Sequence, residues 1–402
     1  MNRLPLLPAL ALSLLPASAT AAAVAPGDEQ AQASASARSY ELAIESIEAM
    51  QGAYGADLAE PLLGLGKTLQ SQGRHEEALR LFKRGVHLAR INDGLYSKQQ
   101  IPLLQGEIAS HVARGDYALA DERQRYLYRV QLRSVDSGEA RTQAFMQQAA
   151  WQYEAYRLGL GPQGYARLMN MWDLYRQALN EVIAREGETS PGLLPPLYGM
   201  LQTQYLISGY QWGDGATIGD DVRARQDLYR FSAYQAQSYE KGNAVLAAIL
   251  SVEREQGSTH EHRLAAARAL AMLGDWHLYH EQRTQAWQAY TQALQELDAL
   301  GDAKAEVAAL FADPRPLPDL EGLRPLPPVV DAQANPGAVL LEFGVSESGR
   351  VYDLERLDDN EALDGRANRL MRALRKTKFR PRFEAGQSVA TENIIRAFDL
   401  QS

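Results

Sequence analysis

Seven prolines lie between Asp313 and Pro336 (Pro314, Pro316, Pro318, Pro325, Pro327, Pro328 and Pro336). No helix or central strand runs through such a tract, because each proline lacks an N–H and locks its φ. The hydrophobic period differs on its two sides. From Tyr40 to about Phe311 apolar residues recur at helical spacing. After Gly337 they alternate, with Val339, Leu341, Phe343 and Val345 on one face. A chain of 402 residues also exceeds what one core ordinarily serves. The expected architecture is multidomain: an all-α body over residues 40–312, a semi-rigid Pro-rich linker over 313–336, and a small α+β domain over 337–402. In extended geometry the linker would reach up to roughly 70 Å at about 3.1 Å per residue.

The amino terminus carries Arg3, an apolar run from Leu4 to Leu15 broken by Pro5 and Pro8, and small residues that fit A-x-A cleavage at Ala17-Ser18-Ala19 or Ala19-Thr20-Ala21. That run is shorter than the roughly 20 residues a bilayer requires, so residues 1–23 read as a cleaved export signal and 24–39 as a flexible leader. The expected location is the periplasm. An uncut segment anchored in the inner membrane is the alternative. Cysteine is absent, which removes disulfides, thiolate metal sites and cysteine nucleophiles. The formal net charge of -9 argues against a nucleic-acid binder, which needs a basic footprint.

Within the helical region one pattern returns. Leu62, Leu65-Gly66, Leu69, Gly73, Ala78, Phe82 and Val86 place large residues on one helix, a small residue where two helices cross, and glycine at the turn. Leu270, Leu273-Gly274, Ala286, Tyr290 and Ala293-Leu294 fall at the same offsets, with Glu281 and Arg283 in place of the usual turn glycine and tyrosine. A degenerate third copy runs through Leu104, Gly115, Tyr117 and Ala120. The pattern resembles the tetratricopeptide repeat, which implies a helical-repeat solenoid with a concave groove for a partner. Segments Ala140–Leu160, Gly164–Arg185 and Asp221–Gln256 are helical in period without matching it.

The C-terminal segment reads β-β-α-β-β. Ser346 to Gly349 makes a hairpin turn, Ala367, Leu370, Met371 and Leu374 form one helix face, and a last strand ends near Leu400. The ordered series Gly337-x-Val339, Phe343-x-Val345, Ser348-Gly349-x-Val351, Leu363-Asp364, Ala367, Lys378-Phe379-Arg380-Pro381, Gly386-x-x-Val389 and Phe398 resembles the C-terminal domain of TonB-family energy transducers. The resemblance implies recognition of a partner's extended segment by a strand edge, here Phe379, Arg380, Pro381, Val389, Thr391, Asn393 and Ile395. The tether of that family is replaced here by a removable signal, and its tyrosine-proline lead-in is missing. The chain is therefore expected to be a periplasmic protein-interaction scaffold, linked to outer-membrane TonB-dependent transport, rather than a transducer acting alone. The alternatives are a membrane-anchored transducer of the TonB type and a peptidoglycan- or envelope-binding module.

The remaining clusters have plainer readings. Arg366, Arg369, Arg372, Arg375 and Lys376 form a basic helix face, and Lys378, Arg380 and Arg382 alternate with Phe379, Pro381 and Phe383 as the outward half of a strand. Both read first as solvated surface. His260-Glu261-His262 and His277-x-x-His280 do not make a ligand set, and Ser258 with Glu261 reads as a capping box. The loop WGDGATIGDDVR from Trp212 lacks the residues of a phosphate or calcium loop. Tyr198, Tyr205, Tyr229, Tyr234 and Tyr239 read as core and groove lining. No catalytic constellation stands out, so no enzymatic activity and no cofactor or metal are expected.

Overall fold

The computed structural model describes residues 26–161, 163–211, 222–301, 303–331, 335 and 337–400. The expected export signal and the loop from Trp212 to Asp221 lie outside them. The chain is mostly helical with a small strand-containing region at its C-terminus, and it divides into two compact units at Glu181/Val182, within a helix.

The first unit contains α1 (Pro26–Gln51), α2 (Ala59–Ser71), α3 (His75–Asp93), α4 (Gln100–Ala113), α5 (Tyr117–Ser134), α6 (Glu139–Arg157) and most of α7 (Gly164–Glu186). Each helix from α1 to α5 packs on the next. Leu58, Leu62, Phe82, Leu103 and Leu104 are fully enclosed in its core. Further along, buried polar side chains bridge neighbouring helices: Gln124 donates to Gln148 Oε1 (3.2 Å), and Asp121 accepts from Trp151 Nε1 and Arg167 Nη2 (both 2.8 Å). Buried polar groups hold their place only when paired in this way. The segment expected to be a flexible leader is helical from Pro26 onward.

The second unit begins in α7 and continues through α8 (Leu194–Ser208), α9 (Val222–Ala236), α10 (Ser238–Glu255), α11 (His260–Tyr279), α12 (Arg283–Asp298) and α13 (Lys304–Phe311). The helical stretch expected over Asp221–Gln256 is two helices, parted at Gln237. Thr259, not Ser258, is the N-cap of α11, and it makes no side-chain capping bond; its hydroxyl lies 3.1 Å from His262 Nδ1.

One turn recurs in both units. Arg74, Asp116, Leu160 and Gln282 each donate N–H to the carbonyl five residues back, at 2.9, 2.9, 2.9 and 2.8 Å. The residue before each is left-handed: Gly73, Gly115, Gly159 and, without a glycine, Glu281 (φ 64°). This is the Schellman closure of a helix end. A close crossing recurs too. A Cβ on Gly66 would lie 2.5 Å from the Phe82 ring, and one on Gly274 would lie 2.3 Å from the Tyr290 ring. Ala78 and Ala286, and the two rings themselves, are fully buried; Leu65 is buried and Leu273 half-buried.

The Pro-rich tract is folded into the second unit rather than standing free as a spacer. It supplies β1 (Arg315–Pro316) and β2 (Val329–Val330). Leu317 is buried beside Phe311 and Phe383, and Leu326 packs on the C-terminal core. The tract carries its own apolar anchors, and their burial outweighs the extended preference of its prolines.

The remaining elements are β3 (Val339–Val345), β4 (Val351–Arg356), α14 (Asp364–Lys376), β5 (Phe379–Arg380), β6 (Arg382–Glu384), β7 (Gln387–Val389) and β8 (Thr391–Phe398). The main sheet has the order β2-β8-β3-β4, all neighbours antiparallel. Val339, Leu341, Phe343, Val345 and Phe398 pack against Ala367, Leu370 and Leu374 of α14. Gly349 closes the β3–β4 turn at φ 74°, where a Cβ would lie 2.0 Å from the Phe379 carbonyl oxygen. Ala385 and Gly386 both have positive φ, the geometry of a two-residue type I′ turn between β6 and β7.

Substituting Gly274→Ala drives a methyl into the Tyr290 ring. The expected result is a loss of about 1–3 kcal/mol in denaturant unfolding, whereas Gly301→Ala, where a Cβ meets nothing within 4 Å, shows only the smaller cost of its left-handed backbone.

Candidate functional site

The partner-edge residues expected from the sequence separate into two groups. Phe379, Arg380 and Pro381 are buried, and β5 is already paired, with Arg315 opposite Arg380 and Pro316 opposite Phe379. Val389 is half-buried and sits opposite Arg382 in the β6–β7 hairpin. Thr391, Asn393 and Ile395 lie on β8 and are the members of the set that border open space.

β8 is covered fully on one side by β3 but only at its end on the other. There β2 reaches just Phe398 and Ala397, opposite Val329 and Val330. The Asp399 N–H donates to the Pro328 carbonyl at 3.0 Å. Strand alternation therefore directs the N–H and C=O of Ala397 and Ile395 to that same side. Among the described residues no strand lies opposite Ile395 there. The alternation breaks at a bulge near Asn393, whose φ is 53°. A groove of about 520 Å³ follows this edge, bounded by Asp313, Pro314, Val329, Asp331 and β8 itself. Ile395 and Val329 expose more than half of their surface beside it (56% and 52%). An open ladder with apolar side chains at its rim can accept an extended peptide.

The stretch from Lys378 to Phe383 does something else. Phe379 enters the core under the sheet, while Phe383 enters the core of the helical region, edge-on to Tyr290 (5.3 Å) and Phe311 (5.2 Å). Between them Arg380 is 2% exposed, over the Phe311 ring. Its Nε lies 3.6 Å from Asp275 Oδ1, and Nη2 donates to Asp319 Oδ2. Asp275 is itself 2% exposed and accepts from the Tyr290 hydroxyl at 2.8 Å. Lys378 Nζ donates to the Tyr279 carbonyl (2.9 Å) and to Glu281 (3.1 Å), and Arg382 pairs with Glu384. The expected solvated outward half of the strand is thus a set of engaged cations. Proline breaks the strand, and that lets the two phenylalanines enter different cores. Asp275 and Asp319 carry no sequence signal: one lies in a helix, the other in the Pro-rich tract.

Burial drives the Asp275 carboxyl up to about 6, and Arg380 opposes that rise. The Tyr290 and Tyr205 phenols are pushed well above their ordinary range, chiefly by burial. His280 falls to about 4 through burial and the nearby Lys378, and His277 is lowered by burial. His277 Nδ1 lies 3.0 Å from the Tyr239 hydroxyl and His280 Nε2 lies 3.3 Å from the Ser208 hydroxyl, so both imidazoles have structural partners. Of the tyrosines, Tyr205 is buried and Tyr229 exposed. Arg366, Arg369, Arg372, Arg375 and Lys376 are exposed along α14. Among the described residues no group of three or more His, Asp or Glu could hold a metal ion, and no helix is long and apolar enough to cross a membrane.

No protein-family model matches the chain, and no curated protein matches its sequence. Among solved structures, the crystal structure of BtubC (BKLC) from P. vanneervenii is similar at a TM-score of 0.42 and 11% identity, over 70% of this chain and 94% of that one.

Two outcomes are expected at the Arg380 junction. Arg380→Met leaves Asp275 buried without its cation and lowers unfolding stability by about 3–5 kcal/mol; adding Asp275→Asn restores part of it. Because the Asp275 pKa is raised in the fold, the native state binds the extra proton between about pH 4 and 6. Its contribution to stability is present below that window and is lost as pH rises through it. His280, with a lowered pKa, acts in the opposite sense over the same window. Between about pH 4 and 6 the denaturant midpoint of Asp275→Asn therefore rises with pH relative to that of the wild type, in which the two groups oppose each other, and parallel profiles would refute the assignment.

Proposed function

We propose that this chain is an exported protein-interaction scaffold of the periplasm, with a tetratricopeptide-like helical-repeat solenoid followed by a TonB-like C-terminal domain. The recurring Schellman turns and the paired glycine–ring crossings at Gly66/Phe82 and Gly274/Tyr290 support the repeat reading. The ordered motif series from Gly337 to Phe398, on a helix-backed antiparallel sheet, supports the TonB-like reading.

The observation that carries the function is the uncovered edge of β8 beyond Ala397. A partner's extended segment would pair there as an added strand, with Ile395 and Val329 gripping its side chains. Phe379, Arg380 and Pro381 take no direct part, because all three are buried and β5 is already paired with β1. A peptide from a TonB-dependent outer-membrane transporter is the partner class that the family resemblance favours. The role is one of binding, without catalysis or cofactor.

Titrating such a peptide into isotope-labelled protein is expected to move the amide resonances of Thr391 to Arg396 and leave those of Phe379 and Arg380 in place. Ile395→Pro removes the outward N–H and should weaken binding at least tenfold, the equivalent of about one to two hydrogen bonds. Shifts confined to other parts of the chain would exclude the edge as the binding site.

A further inference from the structure

The outer face of α14 carries a dense row of exposed cations. The helix buries Ala367, Leu370 and Leu374 and leaves Arg366, Arg369, Arg372, Arg375 and Lys376 exposed over about 15 Å of its length. Among the described residues none of these five has a carboxylate within ion-pair distance. The domain's ion pairs engage Arg356, Lys378, Arg380 and Arg382 instead. Of the acids leading into the helix, Asp358 and Asp364 are taken by Arg356, while Asp359 and Glu361 are exposed at its N-terminal end, away from Arg369, Arg372, Arg375 and Lys376 in sequence. The opposite face of the sheet has the other sign: Glu342 and Glu355 stand directly across from each other on β3 and β4, an unfavourable like-charge pairing. The domain is therefore polarised, cationic on its helix side and acidic on its sheet side, within a chain of formal charge -9.

We propose that the α14 face is a peripheral contact site for the surface of an anionic phospholipid bilayer. The cations form a convex strip on a helix, suited to a planar sheet of charge rather than to a pocket-bound ion. Four of the five are arginines, whose planar forks match phosphate oxygens. α14 carries no exposed large apolar side chain. A protein interface of this size would need an apolar or aromatic anchor at its centre, and single-stranded nucleic acid would need exposed rings for stacking. The contact is thus electrostatic and without insertion. The acidic sheet face is repelled by the same surface, so the domain settles helix-down, and the β8 edge, lying at the side of the sheet, stays open. This site does not depend on the peptide-binding reading of that edge.

The test is co-sedimentation of the full chain with phosphatidylethanolamine vesicles made with and without phosphatidylglycerol. Binding is expected only with the anionic lipid, and it should vanish as salt shortens the screening length from about 10 Å to about 3 Å. Arg369→Ala is expected to lower the partition coefficient about 5-fold, and Arg369→Ala with Arg372→Ala about 30-fold, with unchanged circular-dichroism melting. Should that pair disturb folding, Arg366→Gln with Arg375→Gln serves in its place. The proposal is overturned by equal binding to neutral vesicles, by wild-type partition of the variants, or by tighter binding to a duplex oligonucleotide. It also fails if the arginines instead drive lipid-free self-association through the acidic face, seen as a mass increase that the variants abolish.

Discussion

The second unit depends on one buried cation. Arg380 stands where the C-terminal sheet meets the helices before it, enclosed by Asp275 of α11, Asp319 of the Pro-rich tract and the Phe311 ring. Three segments far apart in sequence are thereby tied to one guanidinium. Taking such a charge out of water costs several kcal/mol, and it is tolerated only with close partners. The bidentate fork of arginine can meet two carboxylates at once, which the single ammonium of lysine does less well. The flanking phenylalanines then complete the junction from both sides, each in a different core.

That junction sorts the rest of the domain by role. Lys378, Arg380 and Phe383 are used up in holding the C-terminal region against α11, α12 and α13. Residues away from it stay available: the open side of β8 and the outer face of α14. The proposed recognition edge would need unpaired backbone groups on a rigid support, and the anchored sheet is such a support. The two-residue strand β2 caps only the end of the edge, so pairing capacity remains at Ile395.

The Pro-rich tract shows how composition and context diverge. Its prolines exclude helix, and its described residues form none. A free spacer does not follow, because Leu317, Leu326 and Val329 supply apolar surface and Asp319 supplies charge for Arg380. The helix ends tell a similar story. Gly73 and Gly115 announce their turns, while Glu281 adopts the same left-handed geometry without glycine and has its carboxylate held by Lys378.

Much was legible from local pattern alone. The switch of hydrophobic period at the prolines, the helix face of Ala367, Leu370 and Leu374, the turns at Gly349 and Gly386, and the inward direction of Phe379 and Phe383 all follow from the order of side chains, because period and turn chemistry act over a few residues. The glycine–ring crossings were visible as a recurring spacing. What only tertiary structure decided is which charges are solvated. Lys378, Arg380 and Arg382 and the arginines of α14 look alike in sequence, yet Arg380 is enclosed and Arg369 is bare. Whether a cation is buried depends on carboxylates that arrive from Asp275 and Asp319, 105 and 61 residues away, and no local pattern carries that information.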